Sequence, residues 1–170
     1  DLQLDEEKWP ARQAASFING NKEEGRRPQH IQHNGDLFTG TQLRIYAAYE
    51  EICQRSGMID FAEILLRSHE LWLNHPELLK HYQMRFRMIL VDEFQDTNKI
   101  QYAWLRMLAG EHGMLTAVGD DDQSIYGWRG ACIENIRTFQ RDYADAELIR
   151  LEQNYRSTSA ILQAANAVIA

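Results

Sequence analysis

The first third of the chain carries apolar residues at helical spacing. Ala14, Phe17 and Ile18 follow Pro10, which fits a first helical position, and Gly25 suits a helix stop. Turn-forming residues dominate 26–40, which predicts a loop. Leu43, Ala47 and Ile52 on one side predict a helix over 41–56, closed by Gly57. Asp60 with Glu63 forms a capping-box pattern around Phe61, with Ile64, Leu65, Leu71 and Trp72 continuing the apolar stripe. A short helix is expected after Pro76.

The pattern changes near residue 87. Met88–Val91 is a short apolar run ended by two acids, which predicts a buried parallel strand. Helical spacing returns over 98–109 through Ile100, Trp104, Leu105 and Leu108. Leu115–Val118 predicts a second strand ended by Gly119. Residues 132–143 predict a helix and 147–151 a third strand. Ser157 is a candidate cap for a last helix holding Ile161, Leu162, Ala165 and Ile169. Strands alternating with helices imply an α/β layer behind a helical region that ends near residue 86.

Composition narrows the class without naming a function. The 170 residues are 44% hydrophobic and 25% charged, which fits a globular protein and excludes a disordered one. No apolar run approaches the roughly 20 residues of a membrane span. The charged start, Asp1 to Lys8, lacks the apolar stretch of a signal peptide. The first residue is not Met, so a piece of a longer chain is expected. Cys53 and Cys132 stand far apart, which suits a reducing cytoplasmic compartment. Six scattered histidines without ligand spacing do not predict a zinc site.

The formal net charge is −7, which taken alone points away from nucleic acid. It is unevenly spread. Residues 92–122 hold seven acidic and two basic groups, so most of the excess sits in one short block.

That block contains the first candidate site. Asp92 and Glu93 end the strand of 88–91, where α/β sheets bind ligands. An Asp there can hold Mg²⁺, usually through water, and the adjacent Glu can orient or deprotonate an attacking water. Two acids that merely terminate a strand are the alternative. The second candidate is Gly119–Ala131. A calcium loop fails there, because Ile125 stands at the turn position and Ala131 at the last ligand position. Tyr126 and Trp128 lie among Gly127, Arg129 and Gly130, a composition suited to stacking on unpaired bases at about 1–3 kcal/mol per base. Burial of both rings in a core is the alternative. Gln123 lies between the acids and the rings. The third candidate, Gln153–Thr158, places Arg156 after Tyr155 near a helix start, where a guanidinium can meet a phosphate and a ring a base. No Gly-x4-Gly-Lys-Ser/Thr phosphate loop occurs in the 170 residues.

Together Asp92-Glu93-Phe94-Gln95-Asp96-Thr97-Asn98, the segment 119–131 and Gln153-Asn154-Tyr155-Arg156-Ser157-Thr158 resemble motifs II, III and IV of the UvrD/Rep/PcrA helicases of superfamily 1, in order and approximate spacing. Trp9-Pro10-Ala11-Arg12-Gln13 and Asp60-Phe61-Ala62-Glu63 are also similar to that family. The resemblance implies an internal section of an ATP-dependent 3′→5′ DNA helicase of repair and replication. It implies an incomplete RecA-like domain of the P-loop NTPase class, with a parallel sheet and an α-helical accessory subdomain. Residues 1–86 would be the accessory 1B-like subdomain, 87–152 part of domain 1A, and 153–170 the start of domain 2A.

The same resemblance implies roles. Asp92 would hold Mg²⁺ through water, and Glu93 would be the base for attack on ATP. Gln123 would sense the γ-phosphate. Tyr126 and Trp128 would stack on single-stranded DNA beside Arg129. Tyr155 would stack on adenine and Arg156 would act as an arginine finger. Gln95 and Asp96 receive only a supporting role, and Asp120–Asp122 none. Implied partners are single-stranded DNA, junctions of single- and double-stranded DNA, and DNA-repair proteins. Without a phosphate loop, the 170 residues alone are expected to be inactive. A helicase–nuclease of the same superfamily and a non-catalytic DNA-binding or interaction module are the alternatives.

Overall fold

Three short polar side chains start three of the helices in the computed structural model, which describes residues 2–33, 35–111, 113–124, 127 and 130–169. Helix α1 spans Ala11–Glu23 and α2 spans Leu37–Ser56. The Asp36 carboxylate accepts from the Phe38 and Thr39 N–H groups, so α2 begins inside the stretch expected to be loop. Gly57 ends α2 in the left-handed conformation that glycine adopts without a Cβ penalty. Helix α3 spans Phe61–Asn74, and its cap Asp60 accepts from the Glu63 N–H at 2.6 Å. The reciprocal half of the expected capping box is absent, because the Glu63 side chain serves three cations instead. Helix α4 covers Pro76–Arg85.

Strand β1, Met88–Val91, leads through α5, Lys99–Ala109, to strand β2, Met114–Ala117. Asn98 and Gln101 cap α5 reciprocally at 2.9 Å each way. The strands pair in parallel, with Met88 opposite Met114 and Val91 opposite Ala117. Helices α6, Glu134–Asp142, and α7, Ser159–Ile169, follow. The fold is therefore an incomplete, helix-rich α/β layer, the class expected.

Helices α1, α2 and α3 pack around a core that mixes apolar and ionic groups. Ala14, Ile18, Tyr46, Leu66 and Trp72 are buried, as are Lys22, Gln42 and Glu63. Lys22, only 2% exposed, places Nζ 2.7 Å from Asp60 and 2.9 Å from Glu63. Arg27 grips Glu70 with two bonds of 2.8 Å, lies 2.9 Å from Glu63 and also meets Glu50. Trp72 continues this core to Trp104 of α5, with ring centroids 5.8 Å apart.

Several expectations need correction. The inward side of α2 is Thr41, Gln42 and Tyr46, while Ala47 and Ile52 are exposed. Tyr46 wins that place because its hydroxyl donates to the Arg26 carbonyl at 2.9 Å. On α3, Phe61, Ile64 and Leu71 are exposed. Strand β1 is not buried on both faces. Met88 and Leu90 are exposed and Ile89 and Val91 half-buried, since burial of both faces requires a layer on each. Residues 147–151 form no strand; Leu148, Ile149 and Leu151 stay exposed without a ladder partner. Pro10 caps α1 rather than opening it. The helix expected after Ser157 starts at Ser159, and the Leu162 N–H donates to the Thr158 carbonyl, so Thr158 holds the cap position.

Candidate functional site

Both acidic clusters end up on one edge of the sheet. The ladder continues past the strands: Val118 N–H donates to Val91 at 2.8 Å, and Phe94 N–H donates to Val118 at 2.9 Å. The residues after β1 and those after β2 are thereby held side by side. Asp92 and Glu93 are exposed at this edge. Asp92 Oδ1 accepts from the Glu93 N–H at 2.9 Å. Glu93 itself has φ +50°, a left-handed backbone that a side chain with a Cβ adopts at a cost of order 1 kcal/mol. It turns the chain from β1 into a short 3₁₀ turn, Phe94–Asp96.

The turn buries Phe94 and Gln95. Phe94 packs edge-on against Tyr102 at 5.7 Å and Phe139 at 5.5 Å, which anchors the turn on α5 and α6. Gln95, 1% exposed, reaches both clusters. Its Nε2 donates to Glu93 Oε2 at 2.6 Å, and its Oε1 accepts from the Asp120 N–H at 3.1 Å. Asp120 then accepts from Gln123 Nε2 at 2.6 Å through Oδ2 and from the Asp122 N–H at 3.1 Å through Oδ1. Glu93 and Gln123 are therefore joined by an unbroken chain of hydrogen bonds. Gly119 makes room for it, since a Cβ there would sit 2.6 Å from Gln95 Oε1.

The far side of the acidic turn is held as firmly. Thr97 Oγ1 donates to the Phe94 carbonyl at 2.7 Å. Buried Asn135 donates from Nδ2 to the Thr97 carbonyl at 2.9 Å and to the Asn98 carbonyl at 3.2 Å. The Cys132 N–H donates to Thr97 at 3.0 Å. Asp96 takes no part in this chain of bonds and lines a cleft of about 1000 Å³ with Ser16, Glu23, Phe61 and Asn98.

Of the residues singled out from the sequence, Asp92, Glu93 and Gln123 are brought together. Tyr126, Trp128 and Arg129 lie outside the described residues. Tyr155 is 90% exposed, and Arg156 is exposed beside it. Asn154 Oδ1 accepts from the Arg156 and Ser157 N–H groups at 2.9 and 2.8 Å, a turn that presents both side chains outward. Among the described residues, neither bonds to the strand-end cluster. Gln95 and Asp120 emerge as the connecting residues. In the sequence Gln95 has only a supporting role as a motif residue and Asp120 is one acid among three, because only the parallel pairing shows that the two segments meet.

The donor set suits a hydrated hard cation. Asp92 offers its second oxygen at an exposed strand end, and Mg²⁺ is ordinarily held by one or two carboxylates with water and phosphate oxygens completing its shell. Among the described residues, no group of three or more His, Cys, Asp or Glu side chains forms an all-protein metal cage. No helix among them is long and apolar enough to cross a membrane.

A parallel strand–helix–strand unit defines a fragment of an α/β domain, and its polar side chains gather beyond the carboxyl ends of both strands, the place where such sheets bind ligands in general. The chain belongs to the UvrD/REP helicase N-terminal domain family, whose profile matches residues 1–144. It is 62% identical over 168 residues to DNA helicase II of Escherichia coli (strain K12), covering 99% of this chain and 23% of that protein. It is 55% identical over 167 residues to DNA helicase II of Haemophilus influenzae, with 98% and 23% covered. It is 42% identical over 167 residues to the ATP-dependent DNA helicase PcrA of Staphylococcus aureus (strain Mu50), again with 98% and 23% covered. The chain thus spans about a quarter of the length of these relatives.

Proposed function

We propose that the chain is the section of a cytoplasmic, ATP-dependent DNA helicase that handles the water and the γ-phosphate during hydrolysis. The observation that carries this reading is the placement of Glu93 and Gln123 at adjacent parallel strand ends, joined through Gln95 and Asp120. The names of the relatives, DNA helicase II and ATP-dependent DNA helicase PcrA, support the same reading.

Each residue then has a task. Asp92 would hold Mg²⁺ through water, and the ion, when bound, would supply neutralisation of phosphate charge. Glu93 orients the attacking water and takes its proton. The Gln123 amide carries two hydrogens, and with one held by Asp120 the other serves the γ-phosphate. Arg156 stabilises the charge that develops on that phosphate, and Tyr155 stacks on adenine. Tyr126 and Trp128 stack on single-stranded DNA beside Arg129. Residues 1–86 form the accessory helical subdomain, 87–152 part of the first ATPase domain and 153–170 the start of the second. Closure of the two ATPase domains drives 3′→5′ movement and unwinding at single-strand/duplex junctions, in repair and replication and alongside DNA-repair proteins.

The test uses the intact helicase that contains this chain. ATP hydrolysis is measured with single-stranded DNA, and unwinding is measured on duplexes with a 3′ or a 5′ tail. Glu93→Gln is expected to lower turnover at least a hundredfold while nucleotide binding persists. Undiminished turnover in Glu93→Gln, or unwinding only from a 5′ tail, would overturn the reading.

A further inference from the structure

We propose that Gln95 is a positioning residue for hydrolysis: its buried amide sets the Glu93 carboxylate relative to the loop that carries Gln123. This rests on the reading of Glu93 as the base and Gln123 as the phosphate sensor.

The two ends of the amide do different jobs. Nε2 donates to the Glu93 carboxylate at 2.6 Å, a short charge-assisted bond. Oε1 accepts from the Asp120 backbone N–H at 3.1 Å. A flipped amide would set oxygen against carboxylate and N–H against N–H, so the two partners select one orientation. A Glu at this position would oppose Glu93 with like charge. A Leu would fill the space and make neither bond. Only a side chain with a donor and an acceptor at this reach satisfies both strand ends.

The surroundings leave the amide little freedom. Gln95 is 1% exposed, while Glu93, Asp120 and Gln123 are all exposed. The buried residue thus fixes the geometry of groups that face solvent. Glu93 also has a left-handed backbone, and the bond from Gln95 holds the carboxylate of that turn in one place. Beyond Asp120, the Oδ2 atom takes Gln123 Nε2 at 2.6 Å. A shift of the Gln123 loop on meeting a phosphate therefore moves the Asp120 N–H, the Gln95 amide and the Glu93 carboxylate together. Gly119 lacks the Cβ that would crowd Gln95 Oε1. It supplies an independent way to displace the amide without changing any hydrogen-bonding side chain.

The experiment compares Gln95→Leu, Gly119→Ala, Glu93→Gln and the double variant Glu93→Gln/Gln95→Leu in the intact helicase. It measures kcat and KM for ATP with saturating single-stranded DNA, and Tm for each protein. Displacing a base by a fraction of an ångström to one ångström lowers kcat by up to about a hundredfold. Gln95→Leu and Gly119→Ala are each expected to lower kcat by about ten- to a hundredfold, with KM for ATP within about threefold. The double variant is expected to fall no lower than Glu93→Gln, because Gln95 acts through Glu93. If Glu93→Gln is inactive but both Gln95→Leu and Gly119→Ala keep kcat within about twofold, the positioning role is wrong and the base assignment stands. If Glu93→Gln is fully active, the base assignment fails and the positioning role with it. If Gln95→Leu melts too low to assay, Gly119→Ala decides by the same criteria. A loss of kcat that tracks the fall in Tm across both variants assigns Gln95 to stability and overturns the proposal.

Discussion

Replacing Lys22 by Met tests how the helical region is held together. Lys22 lies inside the α1–α2–α3 core at 2% exposure, with Nζ 2.7 Å from Asp60 Oδ2 and 2.9 Å from Glu63 Oε2. Met keeps most of the apolar stem and removes the charge. Removing one partner of a buried pair costs roughly 3–5 kcal/mol, because the other charge is left uncompensated. Here neither carboxylate is stranded. Asp60 keeps the Tyr49 hydroxyl at 2.8 Å and the Glu63 N–H at 2.6 Å. Glu63 keeps Arg27 at 2.9 Å and Arg67 at 2.6 Å. The expected loss is therefore at the low end, about 3 kcal/mol. That is a large fraction of the stability of an ordinary domain, roughly 5–15 kcal/mol. Urea unfolding of the chain followed by far-UV circular dichroism measures it as a lower midpoint at unchanged slope. A cycle with Asp60→Asn, which retains a capping oxygen, should show coupling of about 1–3 kcal/mol between the two positions. A loss below about 1 kcal/mol, or additivity within about 0.5 kcal/mol, would refute the account.

Acid should weaken the same core. Burial opposes ionisation of Glu63 and Asp60, but bonds from Arg67, Lys22 and Arg27 to the first, and from Lys22, the Glu63 N–H and Tyr49 to the second, outweigh it and hold both carboxyls below their usual values. A depressed folded-state pKa gives stability that is full above the unfolded value and is lost as pH falls below it. The urea midpoint should therefore drop below pH 4.5, the ordinary Glu value, and less steeply in Glu63→Gln; equal slopes would contradict this. In the intact helicase, Trp128→Ala should raise the Kd for single-stranded DNA about tenfold, as loss of one stacked base predicts, and unchanged affinity would place the ring in the core. The 170-residue chain alone should show no ATP turnover in a steady-state assay; turnover that Glu93→Gln abolishes would overturn this.

The elements were legible where caps and periodicity agreed. Gly57 and Asp60 bound their helices, and Met88–Val91 is a strand as its apolar run requires. Helix faces were less legible. The inward positions of α1, α2 and α3 include Lys22, Gln42 and Glu63, which an apolar pattern assigns to solvent. For Lys22 and Glu63 that burial is offset by ion pairs that reach across elements, and pairings such as Lys22 with Asp60, 38 residues apart, leave no local trace, whereas the buried Gln42 amide has no hydrogen-bond partner among the described residues. Residues 147–151 have strand character without a strand, because pairing depends on a neighbouring edge that the segment does not specify. At the site, the strand-end acids could be read directly. The Gln95 bridge could not, since it depends on the parallel register that sets residues after β1 beside residues after β2.

The acidity of the chain is compensated in two different ways, and the difference separates structure from chemistry. In the helical region, Glu50, Asp60, Glu63 and Glu70 are met by Lys22, Arg27 and Arg67, so their charge is consumed internally. At the strand ends, among the described residues, Asp92, Glu93 and Asp120 are met by N–H groups and the amides of Gln95 and Gln123, with no Lys or Arg paired to them. Neutral donors fix the direction of a carboxylate without cancelling its charge. A cluster built this way keeps its negative potential, as the proposed cation and base would require, whereas a resident Lys or Arg would compete with a cation for the same oxygens. On the proposed function, the excess charge of residues 92–122 stands where cation-assisted chemistry would need it, and it would set no bar to the DNA contacts proposed for Tyr126, Trp128 and Arg129.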